Sequence, residues 1–524
     1  MTSSLSRTQV VRKTVIATQG GVVAAQNSRA AQVGADVLAA GGNAVDAATA
    51  VSFAIGVLEP WMSGPAGGGA MMLWHADQGR AEALSYGMRA PQGLDPADYP
   101  LAGTGKAGDL FPWEAVMGDR NLRGATAVAV PGVVDGIGQA HARHGRMPWA
   151  ELLAQAIALA RQGLPIDWYA SLMIASATRN LSADPDAAAM FLEDGQWPMI
   201  AGWTSTASRS LSLDGMAATL DQLARKGARD FYDGEIGAAL AADMQAKGGC
   251  LSHEDLRKYR AQFQDPLSFA RGSAQFHVTP RLTAGPTFRD VLAALPPLSG
   301  RPGPDAFVAY AEALQSAYAR RLAGMGDDGE SPDQPGCTTH FSIVDAEGNM
   351  VAMTQTLLSA FGAHVVSPST GLLMNNGIMW FDPVPGRPNS LAPGRDCLMN
   401  VCPVIGEDGP RRFAFGASGG RKIVGAVAQL SSFVTDFDMD LETAFHHGRI
   451  DVSGGDTVTA DAMLPDTVHD ALSARFDARR FPRTVFPYAF ACPAGVMRDG
   501  TRNTGCTEIM SPWGDAIAEP RSFP

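Results

Sequence analysis

The strongest constraint on the fold is a pair of alternating apolar and polar runs on either side of a short turn. Residues 337–344 and 350–357 alternate in this way, and residues 345–349 supply a turn that contains Gly and Asn. Such a pattern is typical of a β-hairpin. A loop of three or four residues places Thr338 opposite Thr356 or the residue after it, so we expect these two hydroxyls to lie close together.

The segment before the hairpin has a different character. Residues 326–336 contain no periodic apolar positions and are rich in Gly, Pro and Asp, which is typical of a mobile surface loop. Cleavage between Cys337 and Thr338 would give Thr338 both a hydroxyl and a free α-amine. An α-amine has a pKa of about 7.7 to 8.0 and can accept a proton near neutral pH. The pattern alone also allows the simpler alternative that Thr338 merely begins an ordinary strand.

The residues of the hairpin closely resemble a known family. Residues 338–342, 345–349 and 354–357 are similar to the nucleophile hairpin of the γ-glutamyltransferase family, which belongs to the self-cleaving N-terminal nucleophile hydrolases. Further motifs of the family follow in its order and span about three quarters of the chain: 41–48, 59–60, 63–64, 67–69, 130–132 and 416–420. Several independent motifs in one order are far more specific than any one of them.

The resemblance implies an α+β fold, a four-layer αββα sandwich in which two antiparallel sheets pack face to face with helices outside. It also implies self-cleavage into a large segment, 1–337, which ends in a flexible acidic loop, and a small segment, 338–524, which begins with the nucleophile. We expect the two segments to remain together as a heterodimer, with a dimer of heterodimers as a further option. No metal or other cofactor is implied.

The same resemblance implies the catalytic roles. Thr338 is expected to be the nucleophile, Thr356 to orient its hydroxyl, and Gly419 and Gly420 to hold the oxyanion. The sequence supports the last role, because a strand at 412–415, a glycine turn and a helix leave backbone N–H groups pointing at one place with the helix dipole behind them. Without the resemblance, a glycine turn that only reverses the chain remains an alternative.

The residues expected around the acyl group depart from the family pattern. Members that accept γ-glutamyl groups hold the α-carboxylate with an arginine and two adjacent serines, and the α-amine with Asn, Gln and Asp side chains. The segment expected to supply the arginine, 94–99, has none. The aligned substrate-binding positions of this chain are Leu358 for the asparagine, Gly377 and Trp380 for the glutamine and aspartate, and Met399 and Asn400 for the serines.

These changes argue against a zwitterionic acyl group, because a site without partners leaves charged groups desolvated and unpaired. Leu358 and Trp380 make the pocket smaller or more apolar. Asn400, with Arg421 or Arg89 nearby, is still able to bind a carboxylate or carbonyl. The family has branches that fit this description, including oxamate amidohydrolases and acylases of the glutaryl-cephalosporin type.

We therefore expect a self-processing amidohydrolase that cleaves a small-acyl amide through a Thr338 acyl-enzyme, with a non-glutamyl specificity such as oxamate-like substrates. A γ-glutamyl hydrolase or transpeptidase acting on glutathione or related amides is the first alternative. A non-catalytic relative that only binds a ligand is the second. The sequence does not distinguish hydrolysis from acyl transfer.

Charge and composition narrow the range of partners. The net charge of −12 and the pI near 5.3 argue against nucleic acid or an anionic membrane as a partner. The family resemblance implies a small-molecule amide as the substrate. No apolar run approaches a membrane span, and no apolar signal segment follows Arg7, Arg12 and Lys13, so we expect a cytoplasmic protein. The six cysteines form no CxxC pair and have no ligand spacing with histidine, which suggests neither a zinc site nor a disulfide framework.

Three local patterns give structural predictions. Asn43, followed by Asp46 three residues later, resembles a capping signal for a helix. Residues 64–69 are rich in glycine but lack the Gly-Lys-Ser/Thr ending of a phosphate loop and precede a strand-like run, so nucleotide binding is not expected. The apolar run 125–130 predicts a strand.

Overall fold

The computed structural model describes residues 11–106, 113–200, 209–325, 337–453, 455–486 and 488–519. Within these residues, two seven-stranded antiparallel sheets pack face to face, and helices cover both outer surfaces. This arrangement is the four-layer αββα sandwich of the α+β class that the family resemblance implies, and it confirms that expectation. The acidic loop expected at 326–336 lies outside the described residues. No helix of the described part combines the length and apolar character needed to cross a membrane.

The helices of the described residues are α1 (Ser28–Ala39), α2 (Ala44–Leu58), α3 (Val133–His144), α4 (Trp149–Gln162), α5 (Trp168–Leu181), α6 (Pro185–Phe191), α7 (Asp214–Lys226), α8 (Glu235–Ala246), α9 (His253–Lys258), α10 (Gly285–Ala294), α11 (Pro304–Met325), α12 (Lys422–Thr435), α13 (Leu441–His446) and α14 (Asp466–Ser473). The strands are β1 (Ile16–Thr18), β2 (Val22–Ala25), β3 (Gly68–His75), β4 (Arg80–Tyr86), β5 (Leu101–Lys106), β6 (Glu114–Val116), β7 (Leu164–Pro165), β8 (Leu192–Glu193), β9 (Trp197–Pro198), β10 (Ser210–Leu211), β11 (Gln262–Gln264), β12 (Leu267–Arg271), β13 (Ala274–Val278), β14 (Cys337–Val344), β15 (Met350–Leu358), β16 (Val366–Ser367), β17 (Leu372–Leu373), β18 (Val404–Asp408), β19 (Arg411–Ser418), β20 (Ile450–Asp451), β21 (Thr457–Asp461), β22 (Asp477–Phe481), β23 (Cys492–Asp499), β24 (Arg502–Thr507) and β25 (Asp515–Ala518).

The first sheet has the predicted hairpin, β14 and β15, near its centre, in the order β11-β4-β3-β15-β14-β2-β25. The second sheet has the order β1-β24-β23-β19-β18-β13-β12. Each sheet takes strands from both sides of Thr338, so segments 1–337 and 338–524 interleave in space. The glycine-rich residues 64–69 lead into β3 and not into a helix, in agreement with a strand rather than a phosphate loop.

Apolar side chains fill the space between all four layers. Val22 and Val496 belong to the cluster between the two sheets. Helices α1, α2 and α4 cover the first sheet through a cluster that includes Val51 and Met353, and α10, α11 and α12 cover the second sheet through a cluster that includes Phe413. Strand β15 is therefore buried along its whole length. Its polar side chains must find hydrogen-bond partners inside the protein.

Helix α2 begins where the capping signal predicts. The Asn43 side chain accepts the N–H of Asp46 at 3.0 Å, and the Asp46 carboxylate accepts the N–H of Asn43 at 3.0 Å. These reciprocal bonds satisfy N–H groups that the first turn of a helix leaves without partners. The Ser52 hydroxyl in the middle of α2 donates to the Gln355 side chain. The helix thus satisfies one of the buried polar residues of β15.

The strand predicted at 125–130 is wrong. Residues 125–127 form a 3₁₀ turn, and within the described residues Val130 makes only an isolated bridge, to Arg89. Gly124, directly before the turn, has a φ of 79°, which directs the chain out of an extended path. A short buried apolar run has no periodicity that separates a turn from a strand.

Candidate active site

The hairpin brings Thr338 and Thr356 together as the sequence predicts. The antiparallel register places Cys337 opposite Leu358 and then shifts, so that Thr338 sits at a β-bulge. Thr338 Oγ1 lies 3.4 Å from Thr356 Oγ1, and Thr338 is only 5% exposed. A bulge re-aims a side chain relative to the regular ladder. At this bulge the Thr338 hydroxyl faces the Thr356 hydroxyl on the adjacent strand.

A second contact fixes the Thr356 hydroxyl. Its oxygen accepts the backbone N–H of Leu358 at 2.8 Å. Leu358 has a φ of 91°, in the left-handed region that side-chain-bearing residues rarely adopt. The unusual backbone at the end of β15 thus turns an N–H group back onto Thr356. This bond holds the Thr356 oxygen in place beside Thr338.

His340 lies further along the same face of the hairpin. Its Nδ1 is 2.8 Å from Thr354 Oγ1, and its Nε2 is 2.9 Å from Ser342 Oγ. The ring packs on the backbone of Gly416 in β19, where a Cβ atom would come within 2.2 Å of it. Burial lowers the pKa of His340 to about 3, so the imidazole is neutral at physiological pH. Its contacts make it a hydrogen-bonded spacer between the two sheets.

The predicted glycine turn joins β19 to α12. β19 ends at Ser418, Gly419 and Gly420 follow with φ values of 129° and 60°, and α12 begins at Lys422. Both φ values lie in the region that favours glycine. A Cβ atom on Gly419 would also lie 3.0 Å from the Cα of Ala491. The N-terminus of α12, the positive end of its dipole, is therefore located at this turn.

Gln26 connects the glycine turn to the strand of Thr338. Its side-chain amide donates to Ser418 Oγ at 2.6 Å and to the carbonyl of Cys492 at 2.7 Å, and its oxygen accepts the N–H of His340 at 3.4 Å. The sequence analysis missed Gln26, because it belongs to no motif and each partner is more than 300 residues away along the chain. Its contacts fix the position of the turn relative to the hairpin.

A cleft opens beside Gly419. Its walls include the aromatic rings of Tyr169, Tyr488 and Trp513, and the ring centres of Tyr169 and Trp513 lie 4.1 Å apart. Glu59 also lines the cleft, and burial raises the pKa of its carboxyl to about 8. The cleft thus combines an aromatic surface with a carboxyl group that is mostly protonated at neutral pH.

Four of the predicted substrate-binding residues lie near one another. Leu358, Trp380 and Met399 are buried in one apolar cluster. Gly377 begins the 3₁₀ turn that ends at Trp380, and a Cβ atom on Gly377 would lie 2.6 Å from Sδ of Met88 in the same cluster. The indole N–H of Trp380 has no hydrogen-bond partner among the described residues. Leu358, at the end of β15, connects this cluster to Thr356, because its backbone N–H donates to the Thr356 hydroxyl.

Asn400, the fifth predicted position, contacts an arginine that the sequence analysis did not single out. Arg321, near the end of α11, donates to Asn400 Oδ1 at 3.0 Å and to the carbonyl of Met399 at 2.8 Å. An arginine can only donate, so the Asn400 amide must present its oxygen to Arg321. Its Nδ2 has no partner within the described ranges. Asn400 and Trp380 therefore each hold an unpaired, buried N–H donor.

The arginines expected near Asn400 have other contacts. Arg89 Nε lies 2.7 Å from Asp396, and its guanidinium lies 5.5 Å from the ring centre of Tyr259. Arg421 is the residue before α12, and its carbonyl accepts the Tyr318 hydroxyl. The guanidinium that bonds to Asn400 belongs to Arg321.

Comparison with known proteins agrees with the motifs. The family model described as gamma-glutamyltranspeptidase matches residues 30–335 and 327–508. The Acylase ACY 1 proenzyme of Pseudomonas sp. (strain V22) is 33% identical over 500 residues, which cover 87% of this chain and 86% of that relative. The glutathione hydrolase proenzyme of Pseudomonas aeruginosa is 30% identical over 499 residues, which cover 85% of this chain and 86% of that relative.

A solved structure has the same fold. The crystal structure of a cephalosporin acylase from Bacillus halodurans superposes with a TM-score of 0.84 and covers 99% of this chain and 100% of that chain. The sequence identity is 24%, so the likeness concerns the fold alone. The two chains share the arrangement of sheets and helices described above.

Proposed function

Because the chain belongs to the gamma-glutamyltranspeptidase family, we propose that it is a self-processing amidohydrolase whose nucleophile is Thr338. The position of the Thr338 hydroxyl carries this proposal: it is buried at a β-bulge, 3.4 Å from the Thr356 hydroxyl. The glycine turn and the N-terminus of α12, tied to the hairpin by Gln26, supply donors for an oxyanion. The names of the acylase and glutathione hydrolase relatives, both proenzymes, support maturation by cleavage.

The first step of the proposed mechanism is self-cleavage. Thr338 Oγ1 attacks the carbonyl carbon of Cys337, the C–N bond between the two residues breaks, and the hydroxyl proton passes to the released nitrogen. The two segments are then joined by an ester. Water hydrolyses the ester, which leaves a carboxylate on Cys337 and restores the hydroxyl of Thr338 beside a new α-amine.

The second step uses the same hydroxyl on a substrate amide. The α-amine of Thr338 accepts the hydroxyl proton as Oγ1 attacks the amide carbonyl, and Thr356 orients the hydroxyl. The N–H groups of Gly419 and Gly420 stabilise the developing oxyanion. The leaving amine takes the proton from the α-ammonium and departs. Water, or an acceptor amine, then releases the acyl group from Thr338.

We further propose that the acyl group carries a carboxylate or carbonyl and no ammonium. The proposed substrate-binding residues offer donors, namely the N–H groups of Trp380 and Asn400, with the Arg321 guanidinium behind Asn400. The carboxylate nearest to Trp380 along the chain is that of Asp382. It accepts hydrogen bonds from Arg387 Nη1 at 3.0 Å and from the N–H of Val384 at 2.9 Å. A buried ammonium in such a site lacks a paired acceptor, whereas an oxygen-rich acyl group of the oxamate or glutaryl type meets unpaired donors.

Two anilides that differ by one group test this specificity. Glutaryl anilide and γ-glutamyl anilide have the same chain and the same carboxylate, and the γ-glutamyl compound adds only the α-ammonium. An unpaired buried charge costs about 3 kcal/mol, so we expect the processed enzyme to have a kcat/KM about 100-fold higher for glutaryl anilide. Hydrolysis of oxamate, measured by the release of ammonia, tests the smallest acyl group in the same series.

Glutathione hydrolysis is the competing function, since the Pseudomonas aeruginosa relative is named for it. A kcat/KM that is equal for the two anilides, or higher for γ-glutamyl anilide, would contradict the proposed specificity and favour the glutathione-hydrolase function. If the chain stays uncleaved and hydrolyses none of the amides, the result would favour the non-catalytic alternative.

A further inference from the structure

Three potential metal ligands converge at an end of the first sheet remote from Thr338. His75 ends β3, Glu82 lies on β4 and His144 ends α3. Glu82 Oε2 is 3.3 Å from His75 Nε2 and 2.8 Å from His144 Nε2, and one ligand atom from each residue lies within 4.8 Å of the others. No second group of His, Cys, Asp and Glu meets this criterion in the part of the chain that the structure describes.

The strand register explains how the three side chains meet. β3 and β4 pair so that His75 lies opposite Arg80, which makes Glu82 a diagonal neighbour of His75 on the same face. His144 reaches this face from the end of α3, where its carbonyl accepts the Asn43 side-chain N–H at 2.7 Å. Sequence spacing gives no sign of the cluster, because 62 residues separate Glu82 from His144.

We propose that His75, Glu82 and His144 form a site for a divalent transition metal, with Zn²⁺ the best match. Two imidazole nitrogens and one carboxylate oxygen are a donor set that Zn²⁺ takes in proteins. Tetrahedral bonds of about 2.0 to 2.1 Å separate neighbouring ligand atoms by about 3.3 Å. The observed 3.3 and 2.8 Å separations from the carboxylate oxygen are close to this value, and the two imidazole ligand atoms lie within 4.8 Å of each other, so side-chain rotations are needed mainly to bring the imidazoles together. The fourth position is left for water.

Arg143 orients the carboxylate for this role. Its Nη2 lies 2.9 Å from Glu82 Oε1, which leaves Oε2 for the two imidazoles. Carboxylates that ligate metals usually have such a partner on their other oxygen. The positive charges of Arg143 and Arg80 oppose a cation, but their side chains are 49% and 48% exposed, so water and salt screen them.

The location indicates a structural role. Gly68, at the other end of β3, pairs with Thr356, and the seven residue steps from Gly68 to His75 span about 23 Å. A metal at this distance does not reach a substrate at Thr338. It ties the end of α3 to the β3–β4 pair. We therefore expect Zn²⁺ to raise the Tm and to leave the kcat of the processed enzyme unchanged.

Equilibrium dialysis of the chelator-treated full-length protein against micromolar Zn²⁺ tests the site, with bound zinc measured by mass spectrometry. We expect one zinc ion per chain in the wild type and binding at least about 100-fold weaker in His144→Ala and Glu82→Gln. His277→Ala is the matched control: His277 Nε2 lies 3.1 Å from Glu407, and this pair belongs to no three-ligand group in the described residues. It should bind zinc like the wild type.

Two results would overturn the proposal. One is a wild-type chain without bound zinc, which would make the cluster a hydrogen-bonded contact only. The other is a His144→Ala chain that still binds one zinc ion with wild-type affinity. If His144→Ala fails to fold by circular dichroism, His144→Gln replaces it. A Tm increase on zinc addition that is present in the wild type and absent in Glu82→Gln supports the structural role.

Discussion

Thr356→Val tests whether Thr356 orients the nucleophile. Valine keeps the branched shape of threonine and replaces the hydroxyl with a methyl group. In the wild type this hydroxyl lies 3.4 Å from Thr338 Oγ1 and accepts the N–H of Leu358 at 2.8 Å. The variant therefore loses the contact with Thr338 and removes the acceptor of a buried backbone N–H.

The structure sets the size of both effects. An unpaired buried N–H at Leu358 costs about 1 to 3 kcal/mol of unfolding free energy. The contact between the two hydroxyls is long for an O–H···O bond, so its upper limit is about 1.4 kcal/mol, near the top of the net range for a neutral hydrogen bond. That energy corresponds to a factor of about ten in rate. We expect self-cleavage and kcat each to fall by up to about tenfold in a folded protein.

Thr354→Val is the matched control. Thr354 lies on the same strand and face, and its hydroxyl is 2.8 Å from His340 Nδ1, so its loss has a comparable stability cost without touching Thr338. The assays are the half-time of self-cleavage on denaturing gels, the kcat for glutaryl anilide and urea unfolding. Thr356→Val with wild-type rates would refute the orienting role. If Thr354→Val slows self-cleavage and kcat as much as Thr356→Val does, the loss of rate in both variants would be due to destabilisation of the fold.

Two further substitutions test the pocket and the cleft. Arg321→Met should raise the KM for glutaryl anilide about tenfold with little change in kcat, because the Asn400 amide loses the donor that fixes its orientation; an unchanged KM would contradict this role. The unfolding free energy of Glu59→Gln minus that of the wild type should increase as the pH rises from 5 to 8. Burial raises the folded-state pKa of Glu59 from its usual 4.5 to about 8, so the unfolded chain releases the proton first and rising pH destabilises the native wild type, whereas glutamine does not titrate. Urea unfolding at both pH values checks the sign, and a pH-independent difference would contradict it.

The parts of the site that depend on local sequence were predictable. The turn at 345–349 and the alternation around it predicted that the hydroxyls of Thr338 and Thr356 lie close together, and the glycines at 419 and 420 marked the turn before α12. The capping box at the start of α2 follows from residues three apart. The bulge at Thr338 was not predictable, because alternation fixes which residues pair only while the register is regular.

The parts that depend on long-range packing were not predictable. Gln26 and Arg321 hold the glycine turn and Asn400, yet neither position carries a local pattern. The raised pKa of Glu59 arises from burial by elements distant in sequence. The strand prediction at 125–130 failed for the same reason. Buried turns and buried strands are equally apolar, and tertiary contacts decide which of the two forms.

Intact-mass spectrometry of the purified chain tests the central claim most directly, with Thr338→Ala and Thr339→Ala beside the wild type. The wild type and Thr339→Ala should each give two species, 1–337 and 338–524, whose masses add up to the 54.9 kDa chain (for the variant, less the mass its substitution removes) plus one water. Thr338→Ala should give one uncleaved chain. A Thr338→Ala protein cleaved at the same bond, or a wild type that stays whole after prolonged incubation, would contradict Thr338 as the self-processing nucleophile.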